Sequence, residues 1–222
     1  MWVALSAEED HHEDRHHRCG ERGQALASAC ARAGHTASIS STDPAEAQRL
    51  AAESGGSPAA SNAEAVANAD IVILAVPFDA VRAITQEPGS RLAGKTLVDV
   101  TNRFAPEQLD GSSNAELTQQ MAPDAKVVKA FNTILAARQT NPEIDGIQLD
   151  GFVAGDGADA KRNVLELVGS LGFRPIDAGP LAMSRALEGM ALLNISLNMA
   201  NNWPWQTGWK LLGPTGRAEP GR

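Results

Sequence analysis

The sequence predicts an α/β fold: a doubly wound, mostly parallel sheet with a small C-terminal helical part. Two observations predict it. Short apolar runs rich in β-branched residues, Ile71 to Val76, Thr96 to Val100 and Lys126 to Ala130, alternate with segments of helical or loop character. Such runs are the mark of parallel strands buried on both faces. Each run also closes on a polar or proline-containing segment: Leu74-Ala75-Val76-Pro77, Asp99-Val100-Thr101-Asn102 and Lys129-Ala130-Phe131-Asn132. In open sheets of this kind ligands sit outside the carboxyl ends of the strands. The three segments are therefore candidate walls of one cofactor site in a nucleotide-dependent enzyme.

Composition sets the outer bounds. The 222 residues suit one large domain or a domain with a small appendage, and 43% hydrophobic content supports a substantial core. A formal net charge of -8 argues against a nucleic-acid partner, whose footprint is basic. No apolar stretch is long enough to span a bilayer and no signal peptide is visible. The two cysteines, Cys19 and Cys30, make no disulfide framework, and Cys30 reads as a small core residue. The expectation is a soluble cytoplasmic protein with neither a membrane nor a nucleic-acid partner. Tyrosine is absent, so no tyrosyl acid is available.

The elements follow in order. Gln24 to Ala33 reads as an Ala- and Leu-rich helix ended near Gly34, and Thr36 to Ser40 as a short strand. Asp43-Pro44 caps the next helix, because Asp satisfies free amides and Pro is welcome in a first turn. That helix carries Ala45, Ala47, Leu50 and Ala51 and stops at Gly55-Gly56. Asn62 to Ala67 is a short helix before the Ile71 strand. Pro77 to Thr85 is another, with Val81 and Ile84 on its inner face. Asn114 to Met121 precedes the Lys126 strand, and Leu149 to Ala154 is a further strand. In Ala158 to Leu171, the spacing of Val164, Leu165, Val168 and Leu171 predicts an amphipathic helix. Arg174 to Ala178 is a last strand, and Leu181 to Met199 a long apolar helix whose Met183, Met190 and Met199 read as core filling.

The first twenty-two residues do not fit this scheme. A doubly wound nucleotide fold opens with a buried strand and a Gly-rich turn. Here that place holds Glu13-Asp14-Arg15-His16-His17-Arg18-Cys19-Gly20-Glu21-Arg22-Gly23. Paired histidines among charged side chains cannot enter a buried strand without large desolvation costs. Codons exist for this stretch that, read one base out of step, give Lys-Ile-Ala-Ile-Ile-Gly-Ala-Gly-Asn-Val-Gly, a buried strand and G-x-G-x-x-G turn. His12 then supplies an ATG, and Glu8-Glu9-Asp10 a ribosome-binding sequence. Residues 1–22 are accordingly expected to be an anomalous leader, out of frame or disordered, with the dinucleotide domain at 23–180. A C-terminal helix and substrate-side segment would follow at 181–213, and a frayed tail at 214–222. Without its central strand the chain would uncover core and sheet edges, at a cost beyond the typical domain stability of about 5 to 15 kcal/mol. A metal site in His11, His12, His16, His17 and Cys19 is the competing functional reading. Adjacent histidines point apart on a strand, however, and a plain solvated tail is the third reading.

The constellations that carry chemistry have competing readings too. Gly20 and Gly23 are what remains of a phosphate turn, with the positive end of the Gln24 helix behind them. Arg18 and Arg22 bring charge but obstruct the turn, and an ordinary loop before a helix reads equally. Ser40, Ser41 and Thr42 follow the second strand, where an acid would hold NAD ribose hydroxyls. Hydroxyls there, with no carboxylate at the tip, favour NADP, unless they merely cap the Pro44 helix. Ala75, Val76, Pro77 and Phe78 would pass under the adenosine ribose or the nicotinamide, or else form a strand-to-helix turn. Thr101 and Asn102 can hydrogen-bond a carboxamide, with Ala130, Asn132 and Thr133 bordering the same space. Lys129 is either a surface charge or a contact to an anionic substrate. Asp177-Ala178-Gly179-Pro180-Leu181 is an elbow closing the far side of the pocket. No Ser-His-Asp or Cys-His set can be assembled, since His35, read as a surface residue, is the only histidine after the leader. Hydride transfer needs positioning and exclusion of water rather than a dedicated acid or base, so no catalytic residue is assigned.

In this order the motifs resemble the NADPH-dependent coenzyme F420 reductase family, whose members move hydride between NADP(H) and a deazaflavin. The same domain resembles the cytosolic oxidoreductase part of membrane ferric reductases. The matching stretches are Gly23-Gln24-Ala25-Leu26-Ala27, Ala75-Val76-Pro77-Phe78, Asp99-Val100-Thr101-Asn102, Val128-Lys129-Ala130-Phe131-Asn132-Thr133, Val153-Ala154-Gly155-Asp156 and Asp177-Ala178-Gly179-Pro180-Leu181. The resemblance runs from about Gly23 to Gly213. It implies a Rossmann NADP-binding domain with phosphates near Gly20, Gly23, Gln24, Ser41 and Thr42. The nicotinamide would lie near Val76, Pro77, Thr101 and Asn132, and a homodimer is implied. Lys129, Phe131, Thr133, Gly179, Pro180 and Leu181 would face the substrate. Thr42 stands where the family usually has Arg, and Arg103 where many members have Pro. The expected activity is hydride transfer between NADP(H) and a small-molecule redox acceptor, coenzyme F420 or a flavin. The alternative is a non-catalytic NADP-binding module that senses redox state or serves a partner.

Overall fold

The computed structural model describes residues 2–6, 13–67, 69–86, 92–102 and 111–213, with residues 2–6 and 13–20 described by their main chain alone. In chain order the strands are β1 (Trp2–Ser6), β2 (Ala37–Ser41), β3 (Ser57–Pro58), β4 (Ile71–Leu74), β5 (Thr96–Asp99) and β6 (Lys126–Lys129). A hairpin of β7 (Glu143–Ile144) and β8 (Ile147–Gln148) precedes β9 (Asp150–Gly155) and β10 (Arg174–Gly179). The helices are α1 (Glu13–Arg32), α2 (Pro44–Ser54), α3 (Asn62–Ala67), α4 (Phe78–Thr85), α5 (Asn114–Met121), α6 (Ala136–Gln139), α7 (Ala158–Ser170) and α8 (Ser184–Asn201). A 3₁₀ turn, Leu181–Met183, leads into α8.

The described strands of the main sheet lie in the order β10-β9-β6-β5-β4-β1-β2-β3. Its first six strands in sequence run parallel in the 3-2-1-4-5-6 order of a doubly wound dinucleotide-binding fold. β9 then joins β6 antiparallel, and β10 pairs parallel with β9. The apolar runs behave as parallel strands must: every residue of β4 and β5 is buried. One face packs Leu26, Ile73, Val98, Val128 and Val164 under α1 and α7. The other packs Val72, Leu97, Val127, Ala115 and Leu181 under α3, α4 and α5.

Local rules place several helices. Asp43 Oδ1 accepts from the Ala45 amide at 2.8 Å, Pro44 occupies the first turn, and Gly55 closes α2 at φ 78. Ser113 and Glu116 form a reciprocal capping box on α5. Cys30 is a core residue, and burial pushes its thiol up to about 12. Among the described residues no helix is long and apolar enough to cross a membrane.

The N-terminal region departs from expectation. Trp2–Ser6 takes the central place of the sheet, paired with β2 and β4 along its length. The central gap is filled by a short apolar run at the front of the chain, so 1–22 is not wholly outside the fold. Helix α1 likewise begins at Glu13 rather than Gln24. Met183 and Met199 are exposed rather than core residues. His35 is half-buried and shares a 2.8 Å hydrogen bond with Ser170. The tail at 214–222 and Arg103 lie outside the described residues.

Candidate functional site

The strand order reverses between β1 and β4, and beyond the carboxyl ends of β4, β5 and β6 lie the three segments singled out in the sequence. Gly23 sits inside α1 against the end of β4, where an added Cβ would stand 3.2 Å from Ala75 Cβ. That is the packing role of a helix glycine against a strand. Arg22 Nη1 donates to the Val100 carbonyl at 2.8 Å and ties α1 to the end of β5. Gly20, Gly23 and Gln24 all lie within α1, so their amides belong to the helical ladder and the expected phosphate turn is not formed there. Gln24 Nε2 instead donates to Glu53. His16, His17 and Cys19 lie on α1 with side chains outside the description, His11 and His12 lie outside it altogether, and the described residues contain no metal-binding cluster.

At the end of β2, Ser40 is buried and its hydroxyl donates to Asn62 at 2.8 Å. Ser41 Oγ donates to Glu46 Oε2 at 3.0 Å and accepts from the Asp43 amide. Thr42 is exposed. A carboxylate therefore does stand at this tip, delivered by the first turn of α2 rather than by the strand. Arg49 lies 3.6 Å from it.

Beneath the β5 and β6 ends is a buried polar cluster. Asp99 and Lys129 are register partners on neighbouring strands. Lys129 Nζ donates to Asp99 Oδ1 at 3.1 Å, to Glu188 Oε1 of α8 at 2.7 Å and to the Thr101 carbonyl at 2.6 Å. Lys129 is thus neither a surface charge nor a substrate contact: all its donors are used and its side chain is 0% exposed. Asp99 also accepts from the Thr101 amide and hydroxyl, both at 2.8 Å, and from Thr118 of α5 at 2.6 Å. Burial alone would raise its carboxyl, but Lys129 and the hydrogen bonds from Thr118 and Thr101 hold it below the usual range. Asn114 completes the cluster, its amide donating to Glu188 at 2.9 Å and its side chain to Thr101 Oγ1 at 3.0 Å.

These bonds change the roles expected of Thr101 and Asn102. The Thr101 hydroxyl is already both donor and acceptor. Asn102 and Asn132 bond reciprocally, Asn102 Nδ2 to the Asn132 carbonyl at 3.1 Å and Asn132 Nδ2 to Asn102 Oδ1 at 2.9 Å. Asn132 Nδ2 also reaches the Leu187 carbonyl of α8 at 3.0 Å. Thr101 and Asn102 hold the rim together rather than offering free groups. What the rim leaves unpaired is Asn132 Oδ1 and Thr133 Oγ1, both buried.

Ala130 and Phe131 are core residues on the α1 face, so Phe131 does not face a substrate. Phe131 holds φ 59, a left-handed turn uncommon for a bulky residue, and its carbonyl accepts from the Gln139 side chain at 3.4 Å. Ala75 and Val76 are buried and Pro77 half-buried at the end of β4. In the elbow, Gly179 takes φ 100, which favours glycine. Asp177 accepts from its amide and from Lys161. Pro180 is exposed, while Leu181 is buried in the same cluster as Val76, so the elbow does reach the rim. Thr118, Asn114 and Glu188 are the residues sequence reasoning passed over, and Asp99, named there only as part of a wall segment, proves to be the centre of the cluster. A lone acid in the apolar stretch from Ala186 to Trp209 was the available signal for Glu188.

Sheet order defines the class: an α/β protein with the doubly wound sheet of dinucleotide-binding folds. The family of NADP oxidoreductases described as coenzyme F420-dependent matches residues 19–103. The F420-dependent NADP reductase of Methanothermobacter thermautotrophicus is 30% identical over 202 residues, covering 82% of this chain and 87% of that protein. Metalloreductase STEAP3 of Rattus norvegicus is 37% identical over 131 residues, 58% of this chain. That match spans only 26% of the metalloreductase, and those with STEAP2 of human and mouse 20%. A crystal structure from Arthrobacter sp. FB24, provisionally assigned as an F420-dependent NADP reductase, superimposes with a TM-score of 0.78. It is 27% identical, and the match covers 95% of this chain and 99% of that one. The chain belongs to the F420-dependent NADP reductase family, a family of NADP-dependent oxidoreductases.

Proposed function

We propose that this chain binds NADP(H) across the β4–β6 rim and passes hydride between it and a flat acceptor, a deazaflavin such as coenzyme F420 or a flavin. The observation that carries the reading is the pair of unpaired buried oxygens, Asn132 Oδ1 and Thr133 Oγ1, beside the reciprocally bonded Asn102 and Asn132. A buried acceptor without a donor costs free energy, and a carboxamide N–H fits that need. Val76 and Pro77 would wall the ring, and Ser41 and Thr42 would meet the ribose end. The dinucleotide supplies the hydride when bound, and this chain's contribution is orientation and exclusion of water. The second reading is a non-catalytic NADP-binding module. NADPH fluorescence titration followed by stopped-flow NADPH oxidation with coenzyme F420 and with flavin separates the two. Turnover supports transfer, tight binding without turnover supports the module, and absence of binding removes both.

Association of two copies is part of the proposal. Helix α8 turns Ser184, Glu188, Asn194 and Asn198 inward and leaves Leu193, Leu197 and Met199 at 50%, 38% and 66% exposure. From Ala186 to Trp209 the only charged residue is Glu188, which is buried. In a chain of net charge -8 this is a surface on which two identical copies meet without like-charge repulsion. Sedimentation is expected to show a dimer that Leu193→Glu with Leu197→Glu dissociates; a monomeric parent refutes it.

A further inference from the structure

The Lys129 cluster holds two carboxyl groups and one ammonium, with side-chain exposures of 0% for Asp99 and Lys129 and 1% for Glu188. The donors are divided unequally. Asp99 receives bonds on both oxygens, from Lys129 and Thr101 on Oδ1 and from Thr118 on Oδ2. Glu188 receives Lys129 and the Asn114 amide on Oε1 alone, and its Oε2 is buried with no partner. An ionised Glu188 would leave the cluster with one uncompensated negative charge, on an oxygen no donor reaches. Burying such a charge is far costlier than burying a neutral carboxyl.

We infer that Glu188 carries a proton on Oε2 in the folded protein and, as a neutral acid, docks α8 on Lys129 and positions the Thr101–Asn102 and Asn132 rim. The connections are direct. Glu188 Oε1 bonds the same ammonium that fixes the Thr101 carbonyl, and the next residue back, Leu187, fixes Asn132. The other charges of the elements packed here do not intrude: Glu116 of α5 and Arg185 of α8 pair at 2.7 Å toward solvent, and Lys126 lies at the exposed start of β6. Burial pushes the Glu188 carboxyl up, Lys129 pulls against it by charge and hydrogen bond, and the Asp99 charge adds a smaller upward push. Glu188 is a positioning residue acting through Lys129 and Asn132.

The proton itself does not depend on the dinucleotide reading, whereas the positioning role rests on it, so two measurements are made. Infrared difference spectra of the full chain against Glu188→Gln at neutral pH are expected to show the carbonyl band of a buried carboxylic acid, present only in the parent. A parent without that band overturns the inference. NADPH affinity of the parent is then expected to fall about fivefold or more, the lower end for coupling between two sites, as alkali removes the band. Glu188→Gln, which keeps the acceptor and cannot ionise, is expected to bind NADPH with an affinity independent of pH over that range. The same pH dependence in both proteins overturns the positioning role. If the glutamine variant does not fold, the parent alone decides, because loss of the band and loss of affinity must occur together. Absence of NADPH binding at every pH removes the positioning role along with the dinucleotide reading, and the band still tests the proton.

Discussion

Lys129→Met is expected to cost about 3 to 5 kcal/mol of folding stability, the usual penalty for removing one partner of a buried ion pair. The structure says where the loss arises. Methionine nearly fills the lysine's volume, so little cavity results, and the cost is electrostatic. Asp99 loses the 3.1 Å ammonium and keeps only the uncharged donors of Thr101 and Thr118, so its ionised form becomes costly in a dry site. Glu188 keeps only the Asn114 amide, and its neutral form limits its share of the loss. The Thr101 carbonyl loses its 2.6 Å donor. The penalty should therefore fall toward the lower end of the range. Guanidinium unfolding followed by tryptophan fluorescence measures it directly, since Trp203, Trp205 and Trp209 lie just past α8. For a domain of this size the same loss lowers Tm by about 6 to 20 °C. Lys126→Met, at the exposed start of the same strand, is the control and should change stability by no more than about 0.5 kcal/mol. A Lys129→Met cost below about 1 kcal/mol would refute the reasoning.

Further outcomes follow from other parts of the molecule. Because folding raises the Glu188 pKa above its ordinary 4.5, its stabilisation is complete below 4.5 and is lost as pH rises toward the folded value. In that window stability should fall by about 1.4 kcal/mol per pH unit for this one group, and a chemical-denaturation series with Glu188→Gln should lack that slope. Asp150 accepts from Arg174 at 2.6 and 2.7 Å, from the Leu211 amide at 2.6 Å and from Lys210 at 3.3 Å, fastening the segment after α8. Burial works against its ionisation, yet Arg174, Leu211 and Lys210 hold its carboxyl below 3.8, so this stabilisation is present above pH 3.8 and lost as pH falls further. Asp150→Asn should accordingly expose residues 203–213 to limited proteolysis at neutral pH, and an unchanged cleavage pattern contradicts the latch. Glu46→Gln removes the carboxylate beside Ser41 and should shift preference toward NADPH over NADH in paired titrations, with no shift if Glu46 lies away from the ribose. A version restarted at Met-Lys-Ile-Ala-Ile-Ile-Gly-Ala-Gly-Asn-Val-Gly should bind NADPH more tightly than the 222-residue chain if the opening residues are out of frame. Equal affinity would remove the frame-shift proposal.

Much of this architecture can be read from local chemistry. The Asp43-Pro44 start and Gly55 stop of α2 are rules of backbone satisfaction that do not depend on the rest of the fold. β4 is apolar at every position and β5 and β6 at their two central ones, because helices cover both faces of the sheet. Strand β1 escaped notice because five residues with no periodic flanks carry little signal, and its place is decided by pairing with β2 and β4. The four-residue α6 is equally short, whereas the β7–β8 hairpin is a local pairing across Asp145-Gly146, both at positive φ. The site shows the limit most clearly. A lysine ending a strand looks exposed until its partners arrive from 30 and 59 residues away. Thr101 and Asn102 have the right chemistry for a ligand, but Asp99 and Asn114 occupy the Thr101 hydroxyl and Asn132, 30 residues on, occupies the Asn102 side chain.

The two rims of the sheet decide how copies of this protein can meet. One rim is β3, two residues long and ending in Pro58, and the other is β10, which carries Pro175 and a register break before Gly179. Proline supplies no N–H, and short or irregular borders give an incoming strand nothing to extend. Ribbon-like stacking from chain to chain is thereby discouraged at both ends. Crowding of the folded protein should leave it free of fibrils, and any self-recognition is directed to helical surfaces.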